Sequence, residues 1–166
     1  MEIQPKDDNY WMDKALALAR RAAALGEVPI GAVLVKDGKV IGRGFNRRET
    51  SKDPSSHAEM IAIRQAARRL DAWRLTGTTL YVTLEPCPMC MGAIILARVE
   101  RLVFGSFDPK AGAAGSLYNL ADDPRFNHRV EVASGIRGGE CSDLLSGFFR
   151  ELRREKKESR TIVRSN

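Results

Sequence analysis

Residues 78–90 read TTLYVTLEPCPMC, a run of β-branched and aromatic residues that passes directly into a proline-flanked cysteine pair. The first part, Thr78–Leu84, predicts a buried strand. Pro86 and Pro88 suit the first turn of a helix, where their missing N–H groups would have no partner anyway. In that helix Cys87 and Cys90 share one face, and the positive end of the helix dipole favours their thiolates. The stretch predicts a strand followed by a helix that begins with two metal-ligating sulfurs.

A second segment, His57-Ala58-Glu59, places an imidazole and a carboxylate ahead of an apolar helical pattern. With Cys87 and Cys90, His57 completes a set of three zinc ligands, while Glu59 is free to accept and donate protons. A structural zinc site uses four protein ligands, whereas a catalytic site keeps one position open for water. The chain has one further cysteine and one further histidine, both distant in sequence, which favours an open site.

Each motif also has a structural interpretation. Ser56 and Glu59 fit the Ser-x-x-Glu capping box, in which the glutamate bonds a backbone N–H group at the helix start. A Cys-x-x-Cys pair alone also fits a redox couple or half of a zinc knuckle. Glu85 either supports the ligands or favours the following helix dipole. The presence of both motifs in one short chain favours the open zinc site.

The composition is that of an ordinary globular protein. The 166 residues are 43% hydrophobic and 29% charged, and we expect one domain over residues 1–166. The first eight residues show no apolar signal core, and no run is long enough to cross a bilayer. Three cysteines, two of them assigned to metal, argue against a disulfide framework. We therefore expect a cytoplasmic protein that does not associate with a membrane.

The net charge of +6 favours a polyanionic partner, and its distribution adds to that argument. Residues 150–166 hold seven basic side chains against three acidic ones, so we expect a basic C-terminal segment at the end of the last helix. Such a segment either grips phosphates or is simply a solvated helix face.

Hydrophobic periodicity predicts five helices and five strands. The predicted helices are 11–26, 56–70, 87–98, 117–121 and a last one around 144–152, and the predicted strands are 28–35, 39–45, 78–84, 101–105 and 129–133. Asp37-Gly38 predicts a tight hairpin turn between the first two strands. A hairpin followed by alternating strands and helices indicates a layered α/β domain with one antiparallel pair.

The pattern His-x-Glu followed by Pro-Cys-x-x-Cys is the signature of zinc-dependent nucleobase deaminases. Further stretches resemble the family of bacterial tRNA-specific adenosine deaminases, namely EVPIGAV (27–33), GFNR (44–47), DP (53–54), LYVTLEPC (80–87), GAAGS (112–116) and FFR (148–150). The resemblance covers nearly the whole chain. Ala111 departs from it, because threonine is common at that position, but this difference does not touch the metal residues.

The resemblance implies a three-layer α/β/α cytidine-deaminase-like fold with a mixed five-stranded sheet, and a homodimer. It implies hydrolytic deamination of the wobble adenosine of a tRNA anticodon to inosine, with no organic cofactor. One Zn²⁺ per subunit is then bound by His57, Cys87 and Cys90, and Glu59 is the catalytic proton carrier. The candidates for binding the tRNA anticodon stem-loop are Asn46, Pro86, Asp108, Lys110, Asn127, Phe149, Arg150, Arg153 and Arg154.

Five residues carry more specific expectations. Asp108 either accepts a hydrogen bond from a ribose 2′-hydroxyl, which would select RNA over DNA, or stabilises a turn before Pro109. Adjacent helical residues point about 100° apart, so we expect at least one of Phe148 and Phe149 to pack in the core. We expect His128 to lie at a strand entry and Cys141 to be a small buried residue.

Two other functions compete with the deamination of RNA. The first is deamination of a free base or nucleoside such as guanine or cytidine, which the zinc motif does not exclude. The second is a non-catalytic nucleic-acid module stabilised by zinc, which requires a fourth protein ligand and no spare carboxylate beside the metal.

Overall fold

The structure, a computed structural model, describes residues 6–165. The helices are α1 (Asp8–Ala24), α2 (Arg48–Ser51), α3 (Ala58–Leu70), α4 (Pro88–Leu96) and α5 (Gly138–Ser165), and the strands are β1 (Gly31–Lys36), β2 (Lys39–Phe45), β3 (Thr78–Leu84), β4 (Arg101–Ser106) and β5 (Glu131–Ser134). The expectation about the first eight residues falls mostly outside the described residues, and so does Asn166 of the basic segment.

The five strands form one mixed sheet in the order β2-β1-β3-β4-β5. Strand β1 is antiparallel to both β2 and β3, whereas β3, β4 and β5 run parallel. The predicted mixed five-stranded sheet is confirmed. The expectation of a single antiparallel pair is wrong, because β1 also pairs with β3. Those two strands are distant in sequence, and a strand's own pattern does not reveal such a neighbour.

Helices cover both faces of the sheet, which gives the expected three layers. Alternate strand residues such as Leu34, Leu80 and Leu102 pack in a cluster with residues of α3 and α4. Their neighbours in sequence, such as Val33 and Tyr81, pack on the opposite face with residues of α1 and α5. Because successive side chains of a strand point to opposite faces, strands covered on both sides are apolar throughout.

The hairpin between β1 and β2 has the predicted two-residue turn. Asp37 and Gly38 both adopt positive φ angles, 49° and 68°, and Lys36 pairs with Lys39 across the turn. The first strand is shorter than predicted, because it begins at Gly31. Pro29 has no N–H group to donate to a neighbouring strand, and β1 has neighbours on both sides.

The connections differ most from the prediction. The helix expected at 117–121 is only a 3-10 turn at Leu120–Asp122, because an isolated bridge between Ala114 and Asn119 occupies the start of that segment. The loop expected at 46–55 contains the short helix α2, whose bounds are given above. The last strand lies at Glu131–Ser134, two residues later than the predicted start.

Close packing fixes the start of α3 against β2. A side chain at Gly44 would overlap the carbonyl oxygen of Ala58, and one at Gly42 would overlap that of Ala62. Only glycine permits this approach, so the first turn of α3, which contains Glu59, is held directly on the sheet. Within residues 6–165, no helix combines the length and the apolar character that crossing a bilayer requires.

Candidate active site

The three predicted metal ligands come from the N-termini of two helices. His57 is the N-cap residue of α3, Cys87 is the N-cap residue of α4, and Cys90 lies one turn further along α4. Neither His57 nor Cys87 uses its side chain to cap its helix. Both side chains are therefore available as ligands, and the positive helix ends favour negatively charged sulfur.

The spacing of the ligand atoms fits zinc. His57 Nδ1 lies 3.6 Å from Cys87 Sγ and 3.4 Å from Cys90 Sγ, and all three ligand atoms lie within 4.8 Å of one another. Tetrahedral zinc with ordinary Zn–N and Zn–S bond lengths would separate such a nitrogen and sulfur by about 3.6 Å. One nitrogen and two sulfurs at these distances therefore suit a single Zn²⁺ ion.

The electrostatics of the cysteine pair also suit a metal. Hydrogen bonds from Cys90 and His57 lower the pKa of Cys87 to about 4, despite partial burial. The pKa of Cys90 is raised, chiefly because its thiol donates the hydrogen bond to Cys87. At least one thiolate thus exists at neutral pH, and thiolate is the form that binds zinc.

No fourth protein ligand joins this group among the described residues. The group contains His57, Cys87 and Cys90 alone. His128 lies elsewhere, with its Nε2 2.6 Å from the carbonyl oxygen of Val99, as expected for a histidine at a strand entry. The zinc-stabilised module, which needs a fourth ligand, does not agree with this geometry.

Glu59 lies in the first turn of α3 and is 4% exposed. Burial raises the pKa of its carboxyl group to about 7, against the opposing effects of its own backbone N–H group and of His57. The capping-box interpretation is wrong, because Ser56 donates to Asp53 instead and His57 occupies the cap position. A carboxyl group with a pKa near neutrality both takes and gives a proton readily.

Two of the metal ligands, His57 and Cys87, line a cavity of about 960 Å³ together with Glu59. Its wall is formed by the starts of α2 and α3, the ends of β3 and β4, one face of α5 and the connections around them. Of the candidates for tRNA binding, six line it: Asn46, Asp108, Lys110, Phe149, Arg150 and Arg153. The structure thus brings six residues from three distant segments to one opening.

The remaining three candidates have other surroundings. Pro86 is buried, and its carbonyl oxygen accepts a hydrogen bond from Ala113. Asn127 is exposed, and it is not part of the cavity wall. Arg154 forms ion pairs with Glu151 and Glu158 of its own helix. The structure therefore does not bring these three residues to the cavity wall.

The sequence reasoning missed several residues of the wall. On α5 the missed residues are Ser142, Leu145 and Ser146, which line the cavity together with the predicted Phe149, Arg150 and Arg153. Their spacing of three and four defines one helix face, so the pattern was available in the sequence. The sequence pattern predicts a strand for Val28 and Ile30 and a loop for Arg48, and it gives none of the three a role in the site. All three line the cavity.

A buried glutamate, Glu27, stabilises one side of the cavity. It is 1% exposed, and its carboxylate accepts hydrogen bonds from the backbone N–H groups of Glu49 (3.1 Å) and Thr50 (2.7 Å). The adjacent Asn46 is also buried and contacts the backbone of Val28 and Arg48. Asn46 therefore both lines the cavity and stabilises its wall.

Asp108 has the turn role that was one of its two interpretations. Its Oδ1 accepts hydrogen bonds from the backbone N–H groups of Lys110 (3.0 Å) and Ala111 (3.2 Å). This contact does not exclude a second one to RNA, because Asp108 also lines the cavity.

The two adjacent phenylalanines do not behave as expected. Phe148 is half-buried and Phe149 is 40% exposed, with their rings 5.5 Å apart, so neither is a core residue. Neither ring belongs to the two buried clusters of the core. Cys141, by contrast, is buried as predicted, at 1% exposure.

The fold and the site together define a zinc-dependent deaminase, and comparisons with known proteins agree. A family model for MafB19-like deaminases matches residues 6–153. The chain is 55% identical over 153 residues to a tRNA-specific adenosine deaminase from Bacillus subtilis (strain 168), which covers 92% of this chain and 95% of that protein. It is 48% identical over 165 residues to a tRNA-specific adenosine deaminase from Haemophilus influenzae. That alignment covers 99% of this chain and 95% of that protein.

A solved structure agrees as well. It comes from studies of A-to-I editing by tRNA:A34 deaminases at the wobble position of transfer RNA, and it matches with a TM-score of 0.79 and 46% identity over 82% of this chain and 99% of that one. The chain belongs to the MafB19-like deaminase family. The resemblance to bacterial tRNA-specific adenosine deaminases is confirmed, and the chain is a hydrolytic deaminase with a His-Cys-Cys zinc site.

Proposed function

We propose that this enzyme converts the wobble adenosine of a tRNA anticodon to inosine by hydrolysis, with release of ammonia. The observation that carries the proposal is the buried Glu59 beside the His-Cys-Cys group, at the base of a cavity with cationic side chains along its wall. The similarity to tRNA-specific adenosine deaminases over nearly the whole chain supports the same substrate.

Different residues bind the metal and transfer the proton. Zinc, when bound by His57, Cys87 and Cys90, lowers the pKa of water toward neutrality and so supplies a nucleophile. The Glu59 carboxylate accepts the proton of the attacking water and delivers it to the adenine ring nitrogen. The second proton of the water passes from the new C6 hydroxyl group, through Glu59, to the exocyclic amino group, which leaves as ammonia. Water and adenosine are thus converted to inosine and ammonia. Burial excludes bulk water from the carboxyl group that carries the proton.

The cavity wall supports an RNA substrate over a free base. Arg150 and Arg153 are exposed and make no ion pair with any carboxylate in residues 6–165, so both are available to phosphates. Phe149, on the same helix face, is available to stack on a base. An unpaired anticodon base can leave its stack and enter the cavity, whereas a base within a duplex cannot.

We also propose that the subunits form a homodimer through α4. The helix contains no charged residue, and its outer face carries Met89 (38% exposed) and Leu96 (70% exposed), which lie two turns apart. A helix that is apolar on every side is normally covered on every side. Leu96→Glu should convert the dimer to a monomer in light-scattering measurements. A wild-type protein that is already monomeric at micromolar concentration would contradict the proposal.

We infer one domain for the whole chain, with residues 150–166 as a basic extension of the last helix, and a cytoplasmic location. The location is consistent with two metal-binding thiols that must stay reduced. Limited proteolysis tests the domain assignment, since a single domain should lose only its terminal residues. Fractionation of cells tests the location, and a membrane or exported fraction would contradict it.

The experiment that tests the function is incubation with total bacterial tRNA, followed by sequencing. Inosine is read as guanosine, so A-to-G changes at the wobble position are expected. Parallel incubations with an anticodon hairpin, free guanine and free cytidine measure ammonia release. Release from the free compounds alone would establish the competing function instead.

A further inference from the structure

Glu85 is a buried carboxylate to which the chemistry above gives no role. It lies between β3 and Cys87 and is 2% exposed. It does not belong to the metal-ligating group, and it makes no ion pair within the part of the chain described. A buried carboxylate without a cation requires hydrogen bonds from other groups.

Those hydrogen bonds all come from one segment, the Asp108 loop (residues 107–116). Backbone N–H groups of Asp108, Ala114 and Ser116 each donate to the carboxylate at 3.0 Å, and the hydroxyl group of Ser116 donates as well. A methyl group at Gly112 would overlap the carboxylate. The loop therefore wraps around Glu85, and hydrogen bonds to an ionised acceptor are the stronger kind.

The same loop forms one wall of the cavity. Residues 107–111 all line it, and they include the tRNA-binding candidates Asp108 and Lys110. Two backbone hydrogen bonds join the segment containing Glu85 to the end of β4 and to this loop. They run from Glu85 N to Ser106 O and from Ala113 N to Pro86 O, and each is 2.8 Å long. Glu85 thus connects the segment with the metal ligands to a wall that faces the substrate.

The carboxylate of Glu85 acts on this loop and not on the metal ligands. Both of its oxygens are occupied by donors of the Asp108 loop, Oε1 by Asp108 and Ser116 and Oε2 by Ala114 and Ser116. No hydrogen bond from the carboxylate reaches His57 or Cys90 among the described residues. The two interpretations from the sequence, support of the ligands and a favourable helix dipole, therefore miss its main contacts.

We propose that Glu85 is a positioning residue that sets the conformation of the Asp108 loop and thereby the fit of the RNA substrate. The proposal rests on the proposed function, since the wall faces the tRNA. Because Glu85 does not touch the reacting atoms, its removal acts on substrate binding and leaves the chemical step and the metal in place.

The variant Glu85→Gln tests this with little change in shape. If the new NH₂ group replaces Oε1, it can donate to the Ser116 hydroxyl group. It cannot accept from the Asp108 N–H group, which therefore loses its hydrogen-bond acceptor. We expect the KM for an anticodon hairpin to rise about tenfold, with kcat little changed and one zinc per chain retained. Exchange of the Asp108 amide hydrogen should become faster by a similar factor.

Two other variants support the comparison. Ser116→Ala removes one donor and leaves Glu85 in place, so it should change KM and amide exchange in the same direction but less. Glu27→Gln alters another buried glutamate that binds backbone N–H groups on a different side of the cavity. It should accelerate exchange at Glu49 and Thr50 while leaving the Asp108 amide unchanged.

The outcomes separate the two proposals. A loss of zinc or a fall in kcat at unchanged KM would show that Glu85 acts through the metal site, and unchanged exchange at Asp108 would show that it does not hold the loop. Either result overturns the inference. If the wild-type enzyme deaminates no tRNA, the proposed function fails, while the amide exchange still decides whether Glu85 orders the loop.

Discussion

The metal site and the exposed end of α5 are both built on helices, but they are stabilised in opposite ways. At the metal site, Glu59 and Cys90 are buried and the first turn of α3 lies directly against β2. On α5, every described side chain from residue 153 onward is exposed. Packing fixes the positions of the groups at the metal site, whereas the end of α5 offers charge without packing, which would suffice for contact with a flexible polyanion.

The comparison predicts how strongly each region responds to substitution. A buried, fixed group loses its whole function when it is replaced, since nothing nearby can substitute for it. An exposed cation contributes a screened interaction that neighbouring cations partly replace. The expected effects therefore decrease from the metal ligands to the basic end of α5.

Cys87→Ser should have the largest effect on activity, because it leaves only His57 and Cys90 as zinc ligands. We expect zinc to fall from one ion per chain to near zero and deamination of tRNA to disappear, as measured by mass spectrometry of the metal and by sequencing. Cys141→Ser is the control, since Cys141 is also a free thiol but is buried among residues on the other face of the sheet, away from the metal ligands. Zinc retained by Cys87→Ser would contradict the ligand assignment.

Glu59→Gln should abolish most turnover while the metal remains. General acid–base groups contribute about 10²–10⁴-fold to rate, so we expect kcat to fall by about 10³-fold. The amide has nearly the same shape as the carboxyl group and does not alter the three ligands. Loss of zinc from this variant would show that Glu59 is a ligand or a structural group.

Asp108→Asn should have an intermediate effect, because Asp108 lines the cavity but belongs neither to the metal ligands nor to α5. The amide keeps an oxygen for the N–H groups of Lys110 and Ala111, so the turn is preserved and only the charge is lost. If Asp108 accepts a ribose 2′-hydroxyl, the preference for an RNA over a DNA hairpin should fall about tenfold. An unchanged preference would leave Asp108 with its turn role alone.

Arg153→Ala and Arg154→Ala should have the smallest effects, and the difference between them is informative. Arg153 lines the cavity and forms no ion pair within residues 6–165, so its loss should reduce the slope of log affinity against log salt by about 1. Arg154 is already paired with Glu151 and Glu158, so its loss should change the slope less. Equal effects would show that the helix binds RNA as a diffuse charge and not through one face.

Much of the fold followed from local patterns. The strand Thr78–Leu84 and the hairpin turn at Asp37-Gly38 agree with the prediction, because β-branched runs and positive-φ dipeptides carry their signal within a few residues. The pairing of β1 with β3 and the lack of a helix at 117–121 did not follow. The strand pairing depends on contact between distant segments, and the missing helix on the bridge between Ala114 and Asn119, which no hydrophobic period indicates.

The candidate site divides in the same way. His57, Cys87 and Cys90 were predicted because zinc demands particular ligand types at particular helical spacings. Arg48 and Ile30 were missed, since residues of these types line cavities and loops alike. The face of α5 that lines the cavity was present in the spacing, but only the packing of α5 across the sheet shows which face is used.

The sequence by itself determined the chemistry of this protein, since the histidine and cysteine ligands are rare side chains and both motifs have short, diagnostic spacings. Only the tertiary structure decided how the cavity wall is held, because Glu27 and Glu85 bind backbone N–H groups. Nearly every residue carries such a donor, so no pattern in the sequence marks which ones a buried carboxylate will meet.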